Sequence, residues 1–266
     1  PYSKRAGYDI VGQAMGGLMS TTGWPGGQPT RTGTPMGDVL GGLNVTIGIL
    51  AAYINKCKTG EGEKIDVSLV DAVVSSMTNI NMIYLATGRI PERIGNRYES
   101  TYPYDSFQTK DGSVIIAAGN DKLYDILCDI MEKPELKTDP RFIAVKDRVA
   151  NHDAMKEIVE KWTMERTIDE VSDLLNSKGV PASPINTIDR VVADKHIGGV
   201  HQMFPEMEHP VAGKVKVTNN ALKFTNKIAF PVKPAPLLGQ DNEEVYGKFL
   251  GKDETTIQML KEAGVI

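Results

Sequence analysis

Cysteine, aromatic residues and runs of one charge sign are scarce in this sequence. Cys57 and Cys128 are its two cysteines and form no C-x-x-C pair, so we expect a reduced, cytoplasmic setting without a disulfide framework. Thirty Lys and Arg residues are interspersed with 34 Asp and Glu, which leaves no basic stripe for a nucleic acid partner. We find no apolar run near the ~20 residues of a membrane span and no signal-peptide pattern at the start, so we predict a soluble chain with no membrane partner.

Metal and phosphate motifs are also missing. The Gly60–Lys64 segment lacks the full spacing of a phosphate-binding P-loop and is typical of a turn between a helix and a strand. The four histidines show no spacing of metal ligands, so we predict no metal site; they are His152, His196, His201 and His209.

Apolar periodicity predicts a helical first part. A short helix and a turn at Trp24–Pro29 are expected in the Gly-rich segment that opens the chain. From Asp38 to Lys56 apolar residues recur every three or four positions and predict a tightly packed helix; they are Val39, Leu43, Ile47, Leu50 and Ile54. A second apolar helix is expected to run to about Leu85, where Gly88 and Pro91 stop it.

The texture changes after residue 103. The Asp111-Gly112 turn between β-prone runs predicts a hairpin over Phe107–Ala118. Further predicted elements are helices at 122–131, 153–164 and 167–177, strands at 180–185 and 213–224, and a helical end from Asn242. These patterns predict an α/β fold and suggest four parts: a large-domain part (1–87), a linker (88–103), a small α+β domain (104–190) and a return to the large domain (191–266).

Asp38 is the most informative polar residue, and it has two interpretations. It precedes the predicted packed helix, where an Asp commonly caps the helix by accepting a backbone hydrogen bond. Alternatively, the positive end of the helix dipole keeps the carboxylate ionised, flanking glycines leave it approachable, and it acts as a nucleophile on a thioester.

A series of short motifs resembles the family III CoA-transferases, which include formyl-CoA transferase and carnitine CoA-transferase. Each motif is weak alone, but their order and spacing together are specific, and they extend over nearly the whole chain. They are residues 7–9 (GYD), 13–19 (QAMGGLM), 22–23 (TG), 37–38 (GD), 48–52 (GILAA), 59–69 (TGEGEKIDVSL), 93–96 (RIGN), 103–104 (PY), Phe107, 111–112 (DG), 139–142 (DPRF) and 179–182 (GVPA).

The resemblance implies a role for particular residues. Asp38 matches the family's catalytic carboxylate, which carries an acyl group and then coenzyme A. Tyr8 faces the same site, and Asp9 matches a carboxylate close to the reacting atoms. Coenzyme A, as acyl-CoA substrate, is expected against Ala6, Gly7, Tyr8, Asp9 and Leu69.

The resemblance also implies an architecture. It predicts a Rossmann-like large domain, incomplete here, a smaller α+β domain and an interlocked homodimer. The first strands of the Rossmann-like domain and most contacts to the adenine and phosphates of coenzyme A would precede residue 1. We therefore expect residues 1–266 alone to have no transferase activity.

Two alternatives remain. The family includes 2-methylacyl-CoA racemases, which share a histidine at the position of Tyr8, paired with the aspartate that matches Asp38. A free tyrosine, with a pKa near 10, is a poorer base than imidazole, so Tyr8 favours transfer. The other alternative is a non-catalytic acyl-CoA-binding fragment. Two departures from the family pattern are Gly95–Thr101 in place of a mobile glycine lid and 239–241 (GQD) in place of a Gly-Glu-His run.

Overall fold

The computed structural model describes residue 2, residues 4–225 and residues 232–266. The chain divides into two compact units, Pro1–Ile185 and Asn186–Ile266. About half of it, 48%, is helical, and the described strands form two small antiparallel sheets. The finer division into four parts stays a prediction.

The helical region, residues 8–87, contains five helices. They are α1 (Asp9–Met15), α2 (Leu18–Thr21), α3 (Met36–Thr59), α4 (Leu69–Ser76) and α5 (Thr78–Thr87). The periodicity correctly predicted α3, which ends where Gly60 adopts φ +82° and its N–H bonds the carbonyl of Lys56. Such a left-handed C-terminal residue favours glycine. Gly88, also at positive φ, ends α5 as expected.

The second apolar helix is broken, which the periodicity did not predict. Helices α4 and α5 meet at Met77 with a bend of 74°. The Asn81 side chain donates a hydrogen bond of 2.8 Å to the carbonyl of Val74. A side chain that satisfies a carbonyl freed at a break is a common cause of a sharp kink.

The apolar stripe of α3 was predicted to be packed, and within this chain it is exposed. Gly37 and Gly41 are the buried residues of α3; a Cβ at Gly41 would lie 2.7 Å from Leu69 Cδ2 and one at Gly48 3.1 Å from Ile65 Cγ2. The neighbours of α3 thus lie along its glycines, because the absent side chains allow close approach. The stripe points away, with exposures of 44% to 65% at Val39, Leu43, Ile47, Leu50 and Ile54.

Helix α3 is also long and apolar enough to cross a bilayer. Its most apolar window has a mean hydropathy of 1.5 and is 11% buried, and the bent pair α4–α5 passes the same test. Our expectation that no apolar run approaches this length was therefore wrong. Length and composition fit equally a helix that other parts of a protein cover, and the glycine face of α3 already packs on protein.

The sheet region, residues 98–185, holds the largest apolar core. Strands β1 (Tyr104–Gln108), β2 (Ser113–Ala117) and β3 (Ala182–Pro184) pair antiparallel in that order, so the predicted hairpin and the predicted 180–185 strand are confirmed. Four helices and a 3₁₀ turn pack on the sheet: α6 (Asp121–Ile130), Pro134–Lys137, α7 (Val145–Ala150), α8 (His152–Thr163) and α9 (Ile168–Ser177). The three helices predicted here are confirmed.

Arg148 ties this core together although its side chain is fully buried. Its guanidinium donates to the carbonyls of Tyr102 at 3.0 Å, Phe142 at 3.0 Å and Gly119 at 3.2 Å, and to Asp121 Oδ1 at 2.6 Å. A buried guanidinium is tolerated when its donors find acceptors. Arg148 therefore links the start of the sheet to α6 and α7.

The second unit contains α10 (Ile188–Ala193), a π-helical turn (Lys195–Val200), the hairpin β4 (Glu206–His209) and β5 (Gly213–Lys216), a π-helical turn (Glu243–Phe249) and α11 (Glu254–Glu262). The helical end is confirmed. The predicted 213–224 strand stops at Lys216. Asn219 Oδ1 accepts from the N–H of Asn220, and Asn220 Oδ1 from that of Leu222, both at 2.8 Å. Such local bonds favour a turn over a strand.

Candidate functional site

Asp38 does not cap α3. The helix begins at Met36, its N-cap residue is Pro35, and Asp38 lies exposed in the first turn. Within the described part of the chain, its carboxylate makes no hydrogen bond and no ion pair. The capping interpretation is therefore not what the structure shows.

Asp9 supplies the capping bond instead. Its Oδ1 accepts a hydrogen bond of 2.8 Å from the N–H of Gly37, and its Oδ2 accepts one of 2.8 Å from Gln13 Nε2. Asp9 is also the first residue of α1. One carboxylate thus joins the N-terminal ends of α1 and α3, immediately beside Asp38.

The other predicted residues fall into two groups. Tyr8, Asp9 and Asp38 are brought together, because Asp9 accepts a hydrogen bond from Gly37. Tyr8 directly precedes Asp9 in the sequence, and Asp38 directly follows Gly37. Tyr8 is 75% exposed, and Ala6 and Gly7 are exposed next to it. Together these residues leave an accessible approach to the start of α3.

Leu69 belongs to the packing beneath this surface. A Cβ at Gly12 would lie 3.2 Å from Leu69 Cβ, and one at Gly41 would lie 2.7 Å from Leu69 Cδ2. Leu69 therefore wedges between α1 and α3 at their glycines. The coenzyme A contact predicted for Leu69 stays a prediction.

Gln13 is a residue whose role the sequence did not reveal. It is fully buried, and its Oε1 accepts from the N–H of Thr32 at 3.1 Å and from Thr32 Oγ1 at 3.2 Å. Its amide thereby connects Asp9 to the loop that leads into α3. The signal was a glutamine four residues after Asp9, on the same face of a short helix.

Arg93 and Gly95 fasten a second segment to the loop before α3. Arg93 donates to the carbonyls of Gly27 at 3.1 Å and Ser20 at 3.0 Å. The N–H of Gly95 bonds the carbonyl of Gly23 at 3.0 Å, and a Cβ at Gly95 would lie 2.5 Å from the Trp24 ring. This segment, which stands in place of the expected glycine lid, is thus anchored by specific contacts.

A cavity of about 630 Å³ lies between α5 and residues 89–100, which include most of the Gly95–Thr101 segment that stands in place of the expected glycine lid. None of the predicted site residues lines it. Helix α5 contributes Asn79, Ile80, Met82 and Ile83 to the walls of the cavity. The charged residues of the lining are Arg89, Glu92, Arg97 and Glu99, and Thr21, Ile94 and Tyr98 also line it.

Cys128 is buried, which raises the pKa of its thiol to about 11, so it is protonated at neutral pH. Among the described residues, no group of three or more His, Cys, Asp or Glu side chains could hold a metal ion.

Comparison with known proteins gives a consistent family. The family model described as CoA-transferase family III matches residues 1–242. Human succinyl-CoA:glutarate CoA-transferase is 34% identical over all of this chain and 60% of its own length. Acetyl-CoA:oxalate CoA-transferase of Acetobacter aceti is 41% identical over 70% of this chain and 48% of its own length.

The solved structures agree. A CaiB/BaiF family protein from Brucella suis superposes with a TM-score of 0.79 at 33% identity, over 93% of this chain and 64% of that protein. The expected fold class is thereby confirmed. The chain spans about 60% of the length of the human relative.

Proposed function

Because this chain belongs to CoA-transferase family III, we propose that the protein moves coenzyme A from an acyl-CoA to a carboxylic acid through Asp38. The observation that carries the proposal is the state of Asp38: exposed, without a hydrogen-bond partner in the described residues, and in the first turn of a helix that Asp9 already caps. A carboxylate in use for structure would be tied to a donor. This one is open to attack a thioester.

The proposed reaction has four steps, and in each of them one bond to a carbonyl carbon forms as another breaks. A carboxylate oxygen of Asp38 attacks the thioester carbonyl, the C–S bond breaks, and coenzyme A leaves as thiolate, which gives a mixed anhydride. The thiolate attacks the aspartyl carbonyl of this anhydride, releases the donor acid and leaves an aspartyl-CoA thioester. The acceptor carboxylate then displaces the thiolate to form a second anhydride, and the thiolate attacks its acyl carbonyl to give the new acyl-CoA and free Asp38.

Short dicarboxylic acids are the proposed substrate class. The names of the relatives pair succinyl-CoA with glutarate or D-citramalate, and acetyl-CoA with oxalate. The preferred donor and acceptor are measured by assaying succinyl-CoA and acetyl-CoA as donors against a series of short mono- and dicarboxylates. Differences of one methylene are worth only about 1–3 kcal/mol in a pocket, so the preferred acid should show as a graded series.

Substitution of Asp38 tests the function on the full-length protein. We expect Asp38→Asn to abolish coenzyme A exchange, because an amide is a poor nucleophile and forms no anhydride. Retained exchange in this variant would contradict the proposal. A 2-methylacyl-CoA incubated in heavy water separates transfer from racemisation, since a racemase exchanges the α-proton and the proposed transferase does not.

The interlocked homodimer expected from the resemblance is also a proposal, as is the cytoplasmic location. The exposed apolar stripe of α3 supports the homodimer, because soluble monomers rarely leave such a surface open to water. We propose that the rest of the protein and a second copy cover this stripe. Light scattering after size exclusion measures the assembly, and a monomer would contradict it.

A further inference from the structure

A chain of hydrogen bonds fixes the backbone on which Asp38 stands. Thr32 donates to Gln13 Oε1, Gln13 Nε2 donates to Asp9 Oδ2, and Asp9 Oδ1 accepts from the N–H of Gly37. Every link is 2.8 to 3.2 Å long. The chain begins in the loop before α3, passes through the fully buried Gln13 and ends one residue before Asp38.

We propose that Asp9 and Gln13 form a clamp that positions Asp38, so that Asp9 acts as an orienting group and not as a proton-transfer group. This inference rests on the proposed function of Asp38. It assigns Asp9, which matches a carboxylate close to the reacting atoms in the family, the role of holding the first turn of α3. It also gives Gln13, which has no contact with solvent, a role in turnover.

The geometry of Asp9 supports positioning. Both carboxylate oxygens accept hydrogen bonds from donors fixed in the fold, one on a buried side chain and one on the backbone. A carboxylate held this way has one orientation, and a proton carrier would need an oxygen free to exchange with substrate. Asp38 has the opposite character: it is exposed and has no such donor in the described residues.

Gly37 is the receiving end of the clamp, and its lack of a side chain lets the helices meet. A Cβ at Gly37 would lie 3.1 Å from Asp9 Oδ1 and 3.2 Å from the carbonyl oxygen of Asp9. The capping bond and the close approach therefore depend on each other. Loss of either lets the first turn of α3 shift, and a misplacement of ~1 Å costs about 100-fold in rate.

The decisive test compares Asp9→Asn with Asp9→Ala in the full-length protein. Asparagine keeps an oxygen that accepts from Gly37 and loses one link of the chain: its amide nitrogen faces Gln13 Nε2, and turning the Gln13 amide would instead set the Gln13 nitrogen against the N–H of Thr32. We expect the single-turnover rate of adduct formation at Asp38 to fall about 100-fold in Asp9→Ala but no more than about tenfold in Asp9→Asn. The pH profile of this rate should stay unchanged in Asp9→Asn. Equal losses in both folded variants, or a lost limb of the profile in Asp9→Asn, would overturn the clamp.

Gln13→Met removes the polar links at nearly constant volume and gives a second, independent variant should Asp9→Ala not fold. We expect its adduct rate to fall about tenfold or more. Asn120→Ala is the matched control, because Asn120 caps α6 through the N–H of Leu123 at 2.9 Å, away from the site. It should lower the melting temperature and leave the adduct rate intact. An unchanged rate in Gln13→Met would contradict the proposal.

Amide hydrogen exchange separates failure of the clamp from failure of the proposed function. Peptides covering residues 36–41 should exchange faster in Asp9→Ala and Gln13→Met than in the parent and in Asp9→Asn. If the parent forms no adduct at Asp38, the proposed function fails, and the catalytic meaning of the clamp fails with it. If the parent forms the adduct and exchange at residues 36–41 is equal in all variants, only the clamp is overturned.

Discussion

The sheet region buries its apolar side chains within this chain, whereas the helical region leaves many of its apolar side chains exposed. In the sheet region, the side chains of β2 alternate between buried and half-buried, and Phe107 of β1 and Val114 and Ile116 of β2 are fully buried. In the helical region, α3 buries two glycines and leaves its apolar stripe exposed. One region carries its own core, whereas the other presents a surface that needs a cover.

The contrast shows what each region contributes. The sheet region encloses its own core, and Arg148 and Tyr124 donate hydrogen bonds to backbone carbonyls inside it. A region that lacks such a core leaves side chains exposed at its edge. Asp38 is one of them, in the first turn of α3.

Excision tests this contrast with the largest expected effect. We expect residues 98–185 expressed alone to stay soluble and to unfold cooperatively in urea, because their core residues touch one another. Residues 8–87 alone should aggregate or bind a hydrophobic dye, because exposed apolar patches promote association. Circular dichroism and dye fluorescence measure both. Cooperative unfolding of residues 8–87 as a soluble monomer would break the comparison.

Loss of Arg148 should be the most damaging single change in the sheet region. Arg148→Met keeps the apolar stem but leaves the carbonyls of Tyr102, Phe142 and Gly119 without this donor. We expect the free energy of unfolding to fall by about 3 kcal/mol, from unsatisfied buried acceptors at ~1–3 kcal/mol each. Urea denaturation measures it.

Arg141→Met is the control for Arg148→Met. Arg141 pairs with Asp139 at 2.7 Å, but its side chain is 56% exposed. An exposed ion pair contributes about 0–1 kcal/mol. A loss as large as that in Arg148→Met would show that burial is not what makes Arg148 important.

Changes on the α3 stripe should act on assembly and not on the fold of this chain. In the full-length protein we expect Leu43→Ser with Ile47→Ser to weaken subunit association by about 1.5–3 kcal/mol for each side chain that loses its burial. Sedimentation measures the dissociation constant. Ile143→Ser is the matched control in the sheet region, since Ile143 is 58% exposed. Equal effects from Ile143→Ser would remove the special status of the stripe.

Loss of a helix cap should give the smallest effect, and each loss should destabilise only the region that contains the cap. Asn120→Ala, at the start of α6, should lower the stability of the sheet region by about 1 kcal/mol, the usual cost of a lost cap. Ser68 caps α4 through the N–H of Asp71 at 3.0 Å. Ser68→Ala should leave the sheet-region transition unchanged. A shift of this transition in Ser68→Ala would show that the two regions unfold as one.

Local signals explain how much of this structure was predictable. The periodicity of α3, the Asp111-Gly112 hairpin turn and the glycines that end α3 and α5 act within a few residues, so the sequence predicted them. The break at Met77 and the exposure of the α3 stripe depend on what lies beside each helix. The end of strand β5 was missed although its signal is local, because Asn219 and Asn220 accept hydrogen bonds from neighbouring backbone N–H groups.

The site was predictable only in part. The resemblance singled out Asp38, and local spacing alone favoured a capping role that Asp9 fills instead. Asp9 and Gly37 are 28 residues apart, and Gln13 and Thr32 are 19 apart. Contacts at such separations follow from the packing of α1 on α3, which periodicity does not specify.

The central claim, that Asp38 carries the transferred groups, is tested most directly by peptide mass after turnover in the presence of hydroxylamine. Asp38 is the only acidic residue between Arg31 and Lys56, so a mass change of the tryptic peptide 32–56 identifies it. We predict that this peptide gains the mass of an aspartyl hydroxamate when full-length protein turns over an acyl-CoA, and that activity falls in step. An unmodified peptide 32–56 during active coenzyme A transfer would contradict the account.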